Sequence, residues 1–285
     1  MHIIEQQANK TKPKGDLIQR FTTALIFVSV MLGGVLGGRF LFVTIFGLAA
    51  ALSLWEFASI IFLKGDIRHK LATLFVGLMP YVFLAFYHLN DIETSITAIL
   101  FSILLTIFLL FVSELYARSE QPFQNVGIIL LGGVYIGVPF LILNLIAFKS
   151  GTFEHRTVLV LMLFTWANDT GAYMLGRKLG RTLLMPDVSP KKTWEGVMGG
   201  LIATVLSAFL ASYLFPHLIL LDWLILAVIV STFGTYGDLV ESMLKRRYKI
   251  KDSGSFLPGH GGVLDRFDSF MYMLPFAATY LLWIK

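Results

Sequence analysis

Leu218–Leu244 reads LILLDWLILAVIVSTFGTYGDLVESML. The run is apolar for most of its length and long enough to cross a hydrocarbon core of about 30 Å, which takes roughly 20 helical residues. Its end is different. On a helix, Asp238, Glu241, Ser242 and Lys245 fall at i, i+3, i+4 and i+7, one polar stripe on an apolar rod. A water-filled cavity accounts for such a stripe, although Glu241 and Lys245 could instead form a plain i, i+4 pair near the surface. Asp238 is expected to lie deeper than Glu241.

Eight more runs of this kind occur, at Phe21–Gly37, Phe40–Phe62, Leu71–Leu89, Ile96–Glu114, Val126–Phe148, Thr157–Leu175, Glu195–Phe215 and Ser269–Ile284. The hydrophobic fraction is 56% and the charged fraction 14%, against about 25% charged in ordinary soluble domains. The expected fold is an all-α, polytopic integral membrane protein with about nine transmembrane helices. It divides into a tail at 1–20, a transmembrane region of about five spans at 21–150, and a catalytic transmembrane region of about four spans at 151–285.

Lysine and arginine gather on the cytoplasmic side of short membrane loops. With the N-terminus inside, 19 of the 23 basic residues fall on that side, and only Arg39, Lys149, Arg156 and Lys285 fall outside. Adding or removing one span would swap every later loop, so nine spans with a cytoplasmic N-terminus is the expected topology. Met1–Arg20 is polar and lacks the cleavage pattern of a signal peptide, so it is expected to remain as a cytoplasmic tail. Cysteine is absent, which excludes disulfides, thiolate metal sites and a cysteine nucleophile. Any metal must be held by oxygen or histidine.

The longest polar segments, Arg177–Thr193 and Lys245–Asp268, both fall on the cytoplasmic face, where chemistry is expected. Asn168 and Asp169 sit at the end of the sixth run. Ionisable groups at membrane depth cost about 2.5–3.5 kcal/mol and usually face a cavity or partner, so both are site candidates. The plain alternative is a packing helix in which Ala167, Gly171 and Ala172 permit close approach. Ser189-Pro190-Lys191-Lys192 precedes the seventh run. Ser189 is expected to cap a helix with Pro190 at its first position, bringing free N–H groups and two lysines together as a phosphate site.

Beyond Leu244 the chain reads KRRYKIKDSGSFLPGHGGVLDRFD to Asp268. The glycines and proline preclude a continuous helix, and glycine lets a backbone approach phosphate closely. Asp265 and Asp268 flank Arg266 at the start of the last span, where carboxylates can hold Mg²⁺ and a cation can hold phosphate oxygens. His260 could act as a base, a metal ligand or a hydrogen-bonding loop residue.

The pattern Ser242, Lys245-Arg246, Lys251-Asp252, Gly254, Pro258, His260-Gly261-Gly262, Asp265-Arg266 and Asp268 resembles the hallmark motif of phosphatidate cytidylyltransferases, the CDP-diacylglycerol synthases. The segments Asn168–Tyr173 and Ser189–Gly196 also resemble that family. The resemblance implies an Mg²⁺-dependent enzyme of the bacterial inner membrane, active site facing the cytoplasm, that joins CTP and phosphatidic acid to give CDP-diacylglycerol and pyrophosphate for phospholipid biosynthesis. It commonly implies a homodimer. Membrane lipids are the expected surroundings, no nucleic acid polymer is expected as a partner, and a second, monovalent cation is left open. By position in the motif, Asp238 and Asp265 are the expected metal ligands, with Asp268 and Asp169 supporting the cavity. Lys191, Lys192, Lys245, Arg246 and Arg266 would neutralise phosphates, while Lys251, Asp252 and the loop around His260, Gly261 and Gly262 would shape the nucleotide end. Two rivals stand beside this reading. One is a CTP-dependent lipid kinase; the other is a transporter whose intramembrane acids carry ions or protons.

Overall fold

The computed structural model describes residues 14–62, 66–90, 96–259 and 261–284. Most of the expected tail, the loop at 91–95, His260 and Lys285 lie outside the described residues. The helices are α1 (Lys14–Leu36), α2 (Arg39–Ile61), α3 (Ile67–Asn90), α4 (Ile96–Ala117), α5 (Pro122–Gly132), α6 (Val138–Ala147), α7 (Arg156–Leu179), α8 (Trp194–Leu214), α9 (Leu220–Arg247) and α10 (Leu264–Ala278). A π-helical turn, Gly133–Gly137, joins α5 to α6 in one rod, and another, Thr279–Ile284, extends α10.

Among the described residues, seven helices are long and apolar enough to cross a membrane, and Phe21–Leu36 and Phe101–Ala117 are shorter apolar helices. Each coincides with one of the nine apolar runs, so the chain is a polytopic helical membrane protein. Helix α9 has 28 residues, about 42 Å at 1.5 Å per residue. It exceeds the hydrocarbon thickness, so its charged end, Lys245–Arg247, projects beyond the apolar layer.

Helix α10 is the hub, packing on α2, α6, α7 and α9. Its Phe267 gathers rings from three other elements: Phe27 of α1 at 6.0 Å, Phe46 of α2 at 6.4 Å and Phe140 of α6 at 5.3 Å. Helices α7 and α8 meet along glycines, because a Cβ at Gly171 would strike the Gly199 backbone and one at Gly196 would crowd the Ala172 carbonyl. With lipid on the outside there is little hydrophobic force between helices, so such small-residue seams supply close van der Waals contact. Farther off, Glu114 of α4 takes the Arg68 guanidinium at 2.7 Å, His69 Nε2 at 2.9 Å and the Asn125 amide at 2.8 Å, tying α3, α4 and α5 at one end.

One expectation is corrected. Ser189 does not cap a helix: Ser189–Thr193 is strand β2, paired antiparallel with β1 (Leu183–Met185). Helix α8 begins four residues later than expected, with Thr193 as its cap, its Oγ1 accepting from the Gly196 N–H at 3.1 Å. Pro190 lacks an N–H and fits an edge strand as well as a first helical turn. Lys191 and Lys192 therefore leave opposite faces of an extended segment.

Candidate active site

Three regions converge at the end of the bundle where α9 stops and α10 starts. Helix α9 supplies Asp238, Glu241, Ser242 and Lys245, and its stripe is tightly internal. Ser242 donates to Asp238 Oδ1 at 3.2 Å, and the Lys245 ammonium bridges Glu241 of its own helix and Asp265 Oδ1 of α10 at 2.8 Å. Burial does not follow position along the helix. Glu241 is fully buried, whereas the Asp238 side chain is 36% exposed. Positions i and i+3 differ in azimuth by about 60°, enough to turn Glu241 inward while Asp238 faces the opening.

Asp238 meets the second region there, the Lys192 ammonium, at 2.7 Å from its Oδ2. Lys191, one residue earlier, is exposed. The Arg246 Nε donates to the Val188 carbonyl at 3.3 Å, pinning the β-hairpin to the end of α9, and Glu195 accepts from the Arg181 and Thr182 backbone N–H groups at its base. Ser189 is a register partner of Met185 in that hairpin.

The loop from Lys251 to Val263 is the third region. Asp265 organises it: its carboxylate takes the Ser253 N–H at 2.9 Å and the Gly262 N–H at 2.7 Å. Gly261 has φ +84° and a backbone N–H of Leu257 donates to its carbonyl, so the loop closes on itself in a turn that needs glycine. Lys251, Asp252, Gly254, Gly259 and Arg266 line a polar recess of about 560 Å³. Arg266 also lines a second cavity of about 220 Å³ with Asp169, Asp265 and Asp268, and Phe27 and Met31 of α1 and Trp166 of α7 add apolar surface to its lining.

Asp169, Asp238 and Asp268 lie close enough to repel one another, with Lys192, Lys245 and Arg266 in range to offset them. Among the described residues, no three carboxylate or imidazole groups converge as a ready-made metal cage. Instead, two carboxylates, Asp238 and Asp265, each already hold an ammonium ion. Asn168 stays within hydrogen-bonding range of the Asp169 carboxylate. It is buried in the α7–α8 seam, where its Oδ1 would meet any Cβ at Gly200.

Two residues of this site were not singled out from sequence. Glu56 of α2 is 7% exposed, and its carboxylate accepts from Ser253 Oγ at 3.0 Å, the Val263 N–H at 3.0 Å and the Leu264 N–H at 2.8 Å. The first N–H groups of a helix have no intrahelical partner and carry its positive end. Glu56 thus caps α10 from the other half of the chain and fastens the loop to it. Gly254 and Gly262 leave room for its side chain, since a Cβ at either would strike it. Tyr135 lies in the π-helical turn Gly133–Gly137, and its hydroxyl is buried within electrostatic range of Asp268, Glu241 and Asp238. Wide π-helical turns of this kind often mark functional sites.

Residues 18–284 match the model of a family described as the cytidylyltransferase family. The chain is 33% identical over 274 residues to the phosphatidate cytidylyltransferase of Bacillus subtilis (strain 168), covering 92% of this chain and 96% of the relative. It is 41% identical over 161 residues to the enzyme of that name from Staphylococcus epidermidis, covering 56% and 60%, and 38% identical over 188 residues to that from Staphylococcus saprophyticus, covering 65% and 68%. A match along nearly the whole chain, at this identity and with this helical membrane architecture, means that the chain belongs to the cytidylyltransferase family.

Proposed function

We propose that this protein transfers the cytidylyl group of CTP to phosphatidic acid, giving CDP-diacylglycerol and pyrophosphate. The observation that carries the reading is a cavity of mixed lining, in which the carboxylates and Arg266 share the walls with Phe27, Met31 and Trp166. A substrate with a phosphate head and apolar tails fits such a cavity, and the polar recess beside it, sharing Arg266, suits a nucleotide.

A lipid phosphate oxygen attacks the α-phosphorus of CTP, a new P–O bond forms, and the bond to the β-phosphate oxygen breaks to release pyrophosphate. No enzyme nucleophile is needed. The protein's work is to align the two phosphates and to offset their charge in a site with little water. Arg266, at the junction of cavity and recess, is placed to hold the lipid phosphate against the nucleotide, while Lys192, in a partly exposed pair, can turn from Asp238 toward the triphosphate and Lys245 adds its charge from its seat between Glu241 and Asp265. Lys251 and Asp252 line the nucleotide end, together with the glycine loop. Lys191 and Arg246, from the hairpin and the end of α9, add positive charge at the mouth.

Magnesium commonly takes one or two protein carboxylates and completes its shell with water and substrate phosphates. The donors here suit it: oxygen ligands only, with Asp238 and Asp265 each already holding a cation. These two residues would hold the ion, and bound Mg²⁺ supplies charge neutralisation for the triphosphate. The basic-residue bias of the loops supports a site that opens to the cytoplasm, in the inner membrane of a bacterium. A homodimer is the assembly we propose, on the family likeness. Purified protein given CTP, Mg²⁺ and phosphatidic acid should release pyrophosphate and form CDP-diacylglycerol. Release of CDP with a phosphorylated lipid alcohol would defeat the proposal.

A further inference from the structure

The apolar lining of the carboxylate cavity does not end the site. A groove of about 470 Å³ between α1 and α2 adjoins that cavity, and Thr23, Phe27, Met31, Leu257 and Phe267 line both. Its walls are Ile26 and Val30 of α1 with Ile45, Leu48 and Leu52 of α2, and Leu257 and Pro258 of the loop form its base. Ile26 and Leu48 are 64% and 59% exposed, so the groove opens sideways to the lipid. Leu257 lines the groove, the carboxylate cavity and the polar recess alike.

Apolar grooves are ordinary on a membrane protein, and a larger one of about 760 Å³ runs along α3 beside Ser102 of α4. It shares no lining residue with the cavity. The five lining residues it shares with the carboxylate cavity set the α1–α2 groove apart.

We propose that the α1–α2 groove holds one acyl chain of the lipid substrate while its phosphate lies at Arg266. This rests on phosphatidic acid being the acceptor. From Thr23 to Val30 the helix rises about 10 Å, so a long chain entering beside Thr23, which lines both cavity and groove, passes Val30 before it leaves the protein. Lipid tails are as apolar as the groove, so moving a chain from bilayer to groove has almost no hydrophobic driving force. The groove's contribution is orientation: it fixes the direction in which the headgroup enters the cavity, and misalignment of a reacting group is costly.

Val30→Trp fills the middle of the groove at an exposed position. Turnover of long-chain phosphatidic acid should fall by about tenfold or more in kcat/KM, because misplaced reactants lose that much. Dihexanoyl phosphatidic acid in detergent micelles, whose chains stop short of Val30, should be turned over within about twofold of wild type, with KM for CTP unchanged. Val82→Trp, in the α3 groove, should leave both substrates unaffected. Equal effects of Val30→Trp on long and short chains, or the same discrimination from Val82→Trp, would overturn the assignment. Long-chain phosphatidic acid with a photoreactive diazirine midway along one chain tests the groove without turnover. Crosslinks to α1 and α2 are expected, and crosslinks confined to α3 and α4 would refute it. Failure of the wild-type protein to turn over either lipid with CTP would instead defeat the reaction assigned above, while the photolabel still reports on the groove.

Discussion

Glu56→Gln is the substitution that most sharply separates the structure from the sequence motif, because Glu56 lies about two hundred residues from the loop it holds. The carboxylate satisfies three donors: Val263 N–H on one oxygen, and Leu264 N–H with Ser253 Oγ on the other. Glutamine has nearly the same shape but a single acceptor oxygen. Whichever way its amide turns, an NH₂ faces one of the two backbone N–H groups at the start of α10, and that donor is left unpaired. A buried unsatisfied donor costs about 1–3 kcal/mol. Felt wholly in the transition state, that is about 5- to 150-fold in kcat/KM. The loss should appear in turnover, with amide hydrogen exchange in residues 253–264 speeding up while α7 and α8 stay protected. Glu56→Gln with turnover within about twofold of wild type and unchanged exchange in that segment would refute the strut.

Three further expectations follow from the same geometry. Asp238→Asn should abolish turnover while the thermal midpoint in detergent hardly moves, since its pair with Lys192 is partly exposed and such pairs contribute about 0–1 kcal/mol; wild-type turnover would sink the metal assignment. Lys245→Met should lower stability by about 3–5 kcal/mol, because it strands the buried Glu241 and Asp265 carboxylates without their shared cation. A melting temperature equal to wild type would contradict that. Gly171→Ala sets a methyl against the Gly199 backbone and should destabilise by about 1–3 kcal/mol through overpacking, whereas Gly127→Ala, with open space around it, should not. Thermal melts of the two variants side by side decide the point.

The helical frame was readable because a bilayer leaves little choice: each apolar run of about 20 residues must satisfy its backbone internally, and it does so as a helix. The polar stripe of α9 and the Asp265–Arg266–Asp268 start of α10 were readable for a related reason, since charge is rare in such runs. What escaped was long-range or orientational. Glu56 interrupts the apolar run Phe40–Phe62 just as Asp169 interrupts its own, so the same rule about buried charge applied to it. Its partners, though, are loop amides far along the chain that carry no side-chain signature. Ser189 and Thr193 are both competent caps, and the pairing of Leu183 with Thr193, a tertiary choice, selected the later one. Asn168 and Asp169 are about 100° apart around a helix, so Asn168 packs into the α7–α8 seam while its side chain still reaches the Asp169 that lines the cavity. The apolar side of the site is built by α1, whose Phe27 and Met31 look like any lipid-facing or core residues when read in sequence.

The most direct measurement is the fate of the label in α-³²P CTP incubated with the purified protein, phosphatidic acid and Mg²⁺. Cytidylyl transfer places the label in a lipid that extracts into chloroform, with one pyrophosphate released per labelled lipid and no incorporation once Mg²⁺ is chelated. Label that remains water-soluble as CDP while a lipid alcohol gains phosphate, or incorporation indifferent to Mg²⁺, would contradict the account.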